Sequence, residues 1–142
     1  MFFGYYEHNL DNKGRTVIPS KMREETGAIV YITKGYDGAL TIFKKEDFEK
    51  MLIESRNIPF NKRNSRAYLR AQFSSACELE IDKQGRIQIP QVLLTKYAIG
   101  KELVILGVGD HIEIWDKAKY LAYEEEVNNN FEEIAENLEK DC

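Results

Sequence analysis

The sequence predicts a mainly β, α+β fold in which one small unit occurs twice around a pseudo-two-fold axis. Three observations carry this. Residues 11–19 read DNKGRTVIP and residues 82–90 read DKQGRIQIP, with five of nine positions identical. The similarity then runs on, Met22 answering Leu93, Gly35 Gly107, Ile42 Ile114 and Phe43 Trp115. Finally, 142 residues, 43% hydrophobic and 31% charged, suit one folded domain or two very small ones. A unit of roughly 45 structured residues struggles to bury a sufficient core alone, whereas two copies can interlock and share one. Two copies are too few for a solenoid.

Each unit opens on a turn. In Asp-x-x-Gly-Arg the Asp side chain bonds backbone just ahead and the Gly accepts positive φ. Strands flank it as a local pair, at about 5–10 with 16–18 and 78–81 with 86–89. Pro19 and Pro90 end the second strand of each pair, because proline cannot donate to a ladder. Short helices follow at 21–26 and 91–97. A second hairpin comes next in each unit: 29–34 with 40–43 through GYDG, and 103–108 with 112–115 through GDH. Helices are then expected at 46–55 and at about 117–139. Between the units, Ile58-Pro59 breaks the chain and 61–73 reads as a further helix. The expected organisation is 1–55 as the first repeat, 56–75 as a helical basic linker, 76–120 as the second repeat and 121–142 as an acidic C-terminal helix.

The formal net charge of −4 hides an uneven distribution. Residues 121–142 carry eight acids and one base, a balance of −7, so the rest of the chain carries +3. Residues 55–72 hold Arg56, Lys62, Arg63, Arg66 and Arg70 and no acid. A local basic surface matters more for polyanion binding than the total does. No apolar run approaches the ~20 residues of a membrane span. The opening MFFGYYEHN does not read as a signal peptide. Cys77 and Cys142 make no disulfide framework, so a reducing cytoplasm is the default location. Two His and two scattered Cys do not form a zinc-finger set.

Candidate functional residues gather on the repeated turn. Arg15 and Arg86 each follow it at the start of a strand, where a rigid fork of donors suits phosphate or a guanine edge. The other reading is that Asp11 and Asp82 simply pair with them to hold the turn. Lys13 and Lys83 add charge, and Gly14 and Gly85 are backbone requirements. On a helix, Lys62, Arg66 and Arg70 fall on one face. They suit either phosphate contacts or the acidic tail of the same or a neighbouring chain; Tyr68 and Ala71 are expected to pack inward. Phe2, Phe3, Tyr5 and Tyr6 form a terminal strand packing on its own core or on a neighbour, or a base-stacking surface. Val127, Phe131, Ile134 and Leu138 make an apolar stripe that either docks back on the domain or seals a subunit contact. No enzyme is expected. His8 and His111 do not occupy matching repeat positions, no phosphate-cradling glycine loop occurs, and no Ser or Cys sits in a nucleophile motif. Asp11 and Asp82 as an acid–base pair already have turn roles. No metal or cofactor is expected.

The doubled DNKGRTVIP-type motif resembles the MraZ family of bacterial transcriptional regulators. So do MFFGYYEHNLDNKGRTVIPSKMR at the front, LRAQFSSACELEIDKQGRIQIP in the centre and a second hairpin ending in IEIWD. A single copy would indicate only the wider AbrB-like, swapped-hairpin DNA-binding group. The resemblance implies two interlocked units forming a pseudo-dimeric β-barrel within one chain. It also implies ring-like homo-oligomers that bind short direct repeats of duplex DNA in the promoter of the division and cell-wall gene cluster, hence a nucleoid-associated protein. The family's motifs fall on Asp11 with Arg15 and on Asp82 with Arg86. The alternative function is a ring-forming assembly protein whose partner is another protein.

Overall fold

The computed structural model describes residues 1–141; Cys142 lies outside them. Among the described residues, eight strands and seven α-helices follow a doubled order. The first half contains β1 (Phe2–Asn9), β2 (Arg15–Val17), α1 (Ser20–Thr26), β3 (Ile29–Lys34), β4 (Leu40–Lys44) and α2 (Lys45–Glu54). A 3-10 turn and α3 (Arg63–Ser74) connect it to the second. There β5 (Cys77–Glu80), β6 (Arg86–Gln88), α4 (Gln91–Lys96), β7 (Glu102–Gly109) and β8 (Ile112–Asp116) repeat the order, followed by α5 (Lys117–Asn129), α6 (Phe131–Glu136) and α7 (Leu138–Asp141).

The hairpins β3–β4 and β7–β8 form as the turn residues dictate. Asp37 and Gly38 take positive φ in the first turn and Gly109 in the second. The expected pairing across each Asp-x-x-Gly-Arg turn does not form. Two backbone bonds, Gly14 N to Asp11 O at 3.0 Å and Asp11 N to Arg15 O at 2.9 Å, close the first turn, after which the strands part. β1 pairs antiparallel with β7 of the other half, and reciprocally β5 pairs with β3. β2 and β6 pair only with each other. Two bonds mirror each other across this exchange: Ile18 N donates to Gly85 O at 2.8 Å and Ile89 N to Gly14 O at 2.9 Å. Each half is therefore tied into the turn of the other.

The closed barrel expected from the resemblance is not found among the described residues. The ladders form an open six-stranded sheet, β1-β7-β8-β4-β3-β5, and a separate two-stranded ribbon, β2-β6. With three residues each, β2 and β6 satisfy one another and leave β1 and β5 as sheet edges.

Alternation along the strands assigns the two faces of the sheet. Val30, Ile32, Leu40, Ile42, Leu103, Ile105, Ile112 and Ile114 are fully buried on one face, against Ile18, Ile87 and Ile89 at the ribbon and Met22, Leu93 and Leu94 of α1 and α4. This is the shared core. The opposite face is covered by helices: Phe48 of α2 stacks on Tyr31 with ring centroids 4.4 Å apart, and Gln72 of α3 donates to Thr33 Oγ1 at 3.1 Å. On the same face α5 brings Tyr120 onto Trp115 at 5.1 Å. The N-terminal aromatics divide accordingly. Phe2 and Tyr6 join the core, Tyr5 meets Tyr120, and Phe3 is exposed. Gly107 lets this edge strand in, since a Cβ there would collide with the Phe2–Phe3 backbone.

Two expectations about helices are corrected. The tail is not one helix over 117–139 but three, broken at Asn130 and Asn137. The run Asn128-Asn129-Asn130 explains the first break, because Asn side chains compete for backbone groups; Asn130 Nδ2 donates to Glu126 O at 3.0 Å. On α3, Tyr68 and Ala71 are exposed, and Leu69, Gln72 and Phe73 face inward instead.

Candidate functional site

Both turns are built alike. Asp11 Oδ1 accepts the backbone N–H groups of Lys13 and Arg15, each at 2.9 Å, and its Oδ2 accepts Arg15 Nε at 2.7 Å. Asp82 repeats the set with Gln84 N, Arg86 N and Arg86 Nε, all at 2.9 Å. Gly14 and Gly85 sit at φ +76° and +80°, where an L side chain is strained. Donors converging on one carboxylate favour its charged form. The Arg15 amide acts most strongly, against partial desolvation, with the Arg15 side chain and Lys13 amide adding to it. Together they hold the Asp11 carboxyl down to about 2. Asp82 is lowered by the equivalent groups, the Arg86 amide first.

The pairing of Asp and Arg is thus real, yet it occupies only the Nε edge. Neither guanidinium makes another protein hydrogen bond among the described residues. Each Asp fixes its arginine while leaving the two Nη groups for a ligand, an arrangement suited to bidentate recognition.

The ribbon then brings the two arginines together. Its register pairs Arg15 with Gln88, Thr16 with Ile87 and Val17 with Arg86. Thr16 and Ile87 are buried in the core, so Arg15, Val17, Arg86 and Gln88 share the outer face. Arg15 and Arg86 are diagonal neighbours in this ladder, about 7–8 Å apart. The exposed Lys13 and Lys83 mark the turns at its two ends, and Gln88 Nε2 donates to Lys13 O at 3.0 Å. A two-stranded ribbon of this kind is narrow enough for a major groove about 12 Å wide.

The α3 cations are elsewhere. α3 packs through Gln72 on the sheet face turned away from the ribbon. Arg66 Nη1 donates to Phe60 O at 3.2 Å, and the Arg70 guanidinium lies over the Phe60 ring at 5.6 Å. Lys62 is exposed at the N-cap of the helix.

One family model, described as "MraZ protein, putative antitoxin-like", matches residues 1–71 and again residues 72–142. The chain belongs to the MraZ family. Among similar proteins, the one named Transcriptional regulator MraZ from Lactobacillus helveticus is 42% identical over 139 residues, covering 98% of this chain and 97% of its own. Those of the same name from Ligilactobacillus salivarius and Acetivibrio thermocellus are 41% identical over 138 residues, covering 97% of this chain and 96% of theirs. The double match to the MraZ model coincides with the repeat read from the motif.

Two residues at the ribbon and its turns were not singled out from sequence. Gln88 faces Arg15 only once β2 and β6 pair, 73 positions apart along the chain. Arg23 of α1 packs its guanidinium over Gly85, so that a Cβ there would strike it. Its repeat equivalent is Leu94, which lies near Gly14, so the repeat pattern itself gave no signal. Among the described residues no group of three or more His, Cys, Asp and Glu could hold a metal ion, and no helix is long and apolar enough to cross a membrane.

Proposed function

We propose that the chain is a transcriptional regulator that binds duplex DNA through the outer face of the β2–β6 ribbon. Arg15 and Arg86 are the base or phosphate readers, Lys13 and Lys83 add phosphate contacts at the ribbon ends, and Asp11, Asp82, Gly14 and Gly85 shape the turns. The observation that carries this reading is that both arginines are held by Nε alone on one partly exposed outer face. Relatives named transcriptional regulators support it. The target is short tandem repeats in a promoter, that of the division and cell-wall gene cluster, which places the protein at the cytoplasmic nucleoid. Lys62, Arg66 and Arg70 fall outside this interface, since α3 lies on the sheet face turned away from the ribbon.

In this reading the chain is an AbrB-like, swapped-hairpin pair of repeats, 1–55 and 76–120, with 56–75 joining them and 121–142 as an acidic extension. The reciprocal β1–β7 and β5–β3 pairing supports it. One ribbon offers few base contacts and binds weakly, so a homo-oligomeric ring holding several ribbons on successive repeats gains by effective concentration.

The test is direct. Arg15→Ala and Arg86→Ala keep the fold, by circular dichroism and thermal melting, and each weakens operator binding in a fluorescence-anisotropy titration. A lost bidentate contact costs about 1–3 kcal/mol per site, and more when several subunits bind together. Parent-like binding by both variants removes the ribbon from the interface.

A further inference from the structure

We propose that the basic, aromatic face around Phe60 is the receptor for the acidic tail of a second copy of this chain. The contact runs head to tail: Phe60, Arg66 and Arg70 of one copy meet the α5–α6 groove of the next. The proposal deepens the oligomeric reading above and rests on it.

The observations are complementary in shape and charge. Phe60 is a large apolar side chain, 58% exposed, within a segment that holds five bases and no acid from residue 55 to 72. Arg66 and Arg70 brace it, one by its carbonyl and one over its ring. This makes an exposed apolar knob flanked by two positive charges. The helix break at Asn130 produces the matching surface. There Tyr123, Val127 and Ile134 line a groove of about 450 Å³ flanked by Glu126 and Glu133. Ile134 is 44% exposed and Phe131 59% exposed, so the apolar side of the tail is uncovered in the single chain. A cation held over an aromatic ring keeps its outward N–H groups for a carboxylate.

The same chain does not satisfy either surface. Its tail leaves the sheet from β8 with Tyr120 on Trp115, while its own Phe60 stays exposed. The α3 face also points away from the ribbon, so a tail docked there leaves Arg15 and Arg86 free for DNA. Because receptor and tail are different patches, the contact is heterologous. It closes into a ring when the rotation between copies closes and grows open-ended otherwise.

The experiment uses the full chain without DNA, by native mass measurement at micromolar concentration and low salt. The charge-reversed pair Glu126→Lys with Glu133→Lys is expected to raise the half-assembly concentration at least tenfold. The pair Arg66→Glu with Arg70→Glu is expected to do the same. An equimolar mixture of the two reversed chains, or one chain carrying all four changes, is expected to recover assembly. Circular dichroism checks that each variant is folded. In a background of Cys77→Ser and Cys142→Ser, oxidising a mixture of Asn61→Cys and Asn137→Cys chains is expected to give a cross-linked dimer that neither chain forms alone. Assembly unchanged by either reversal overturns this contact while leaving an oligomer built through another surface. An Asn61→Cys, Asn137→Cys double variant that cross-links only within one chain overturns it in favour of cis docking. A monomeric parent overturns this contact and the oligomeric reading together.

Discussion

At the scale of single residues, the site is a way of holding a flexible arginine still. A free guanidinium loses side-chain entropy on binding, and the Asp11–Arg15 and Asp82–Arg86 pairs spend part of that loss in folding. These pairs are partly exposed, so their role is orientation rather than stability. The carboxyl must stay ionised to do it. For Asp11 the folded value, about 2, lies below the unfolded value near 3.9. Its contribution is therefore fully present above the unfolded value and lost as pH falls through about 2. A carboxyl-detected NMR titration should find Asp11 with a midpoint near 2 and Asp82 also depressed. Midpoints near 4 for both would mean that the turn bonds are absent in solution. The motif made this much legible: Asp, Gly and Arg at fixed spacing announce a turn with an arginine behind it. What it left open was whether the arginine was fully occupied by its Asp. That depends on which nitrogen is used, and only the geometry distinguishes Nε from the Nη edge.

At the scale of elements, the turns are where the two halves interlock. Gly14 O and Gly85 O each accept from the far strand end, so a distortion in one turn is felt in the other half. The two glycines are nevertheless unequal. Alanine at either meets the positive-φ penalty, about 1–2 kcal/mol. At Gly85 it must also displace the Arg23 guanidinium, whereas at Gly14 the nearest atom is Ile89 O at 3.4 Å. Gly85→Ala is therefore expected to lower the melting temperature more than Gly14→Ala. In an Arg23→Ala background the two penalties should become similar. Equal penalties in the parent would deny Arg23 its place over Gly85. The hairpins and helices were readable because their signals are local: GYDG, GDH, the prolines at 19 and 90, and apolar spacing. The pairing of β1 with β7 was not. Each Asp-x-x-Gly-Arg turn looks like the tip of a local hairpin, and nothing near residues 2–9 states that their partners lie at 102–109. The helix break at Asn130 was legible in principle, since three successive Asn are poor helix formers, but the apolar spacing across it outweighed them.

At the scale of the whole molecule, the repeat creates one compact core and one ribbon to which both halves contribute. Duplication thus places two arginines side by side where a single unit would carry one. The charge map follows the same logic: the ribbon and its turns are basic, the α3 face is basic on the opposite side of the sheet, and the acids collect in the tail. A regulator of this form should bind DNA by accumulation, with each ribbon weak and the assembly strong. The measurement that tests this most directly is operator affinity as a function of repeat number, at constant duplex length and across a salt series. Reducing the tandem repeats to one is expected to lose far more affinity than changing one base within a repeat. Log affinity is expected to fall with log salt by about 0.9 per phosphate contact, a slope that becomes shallower in Arg15→Ala and Arg86→Ala. Affinity indifferent to repeat number, and equal on unrelated DNA of the same length, would contradict DNA binding by accumulated ribbons.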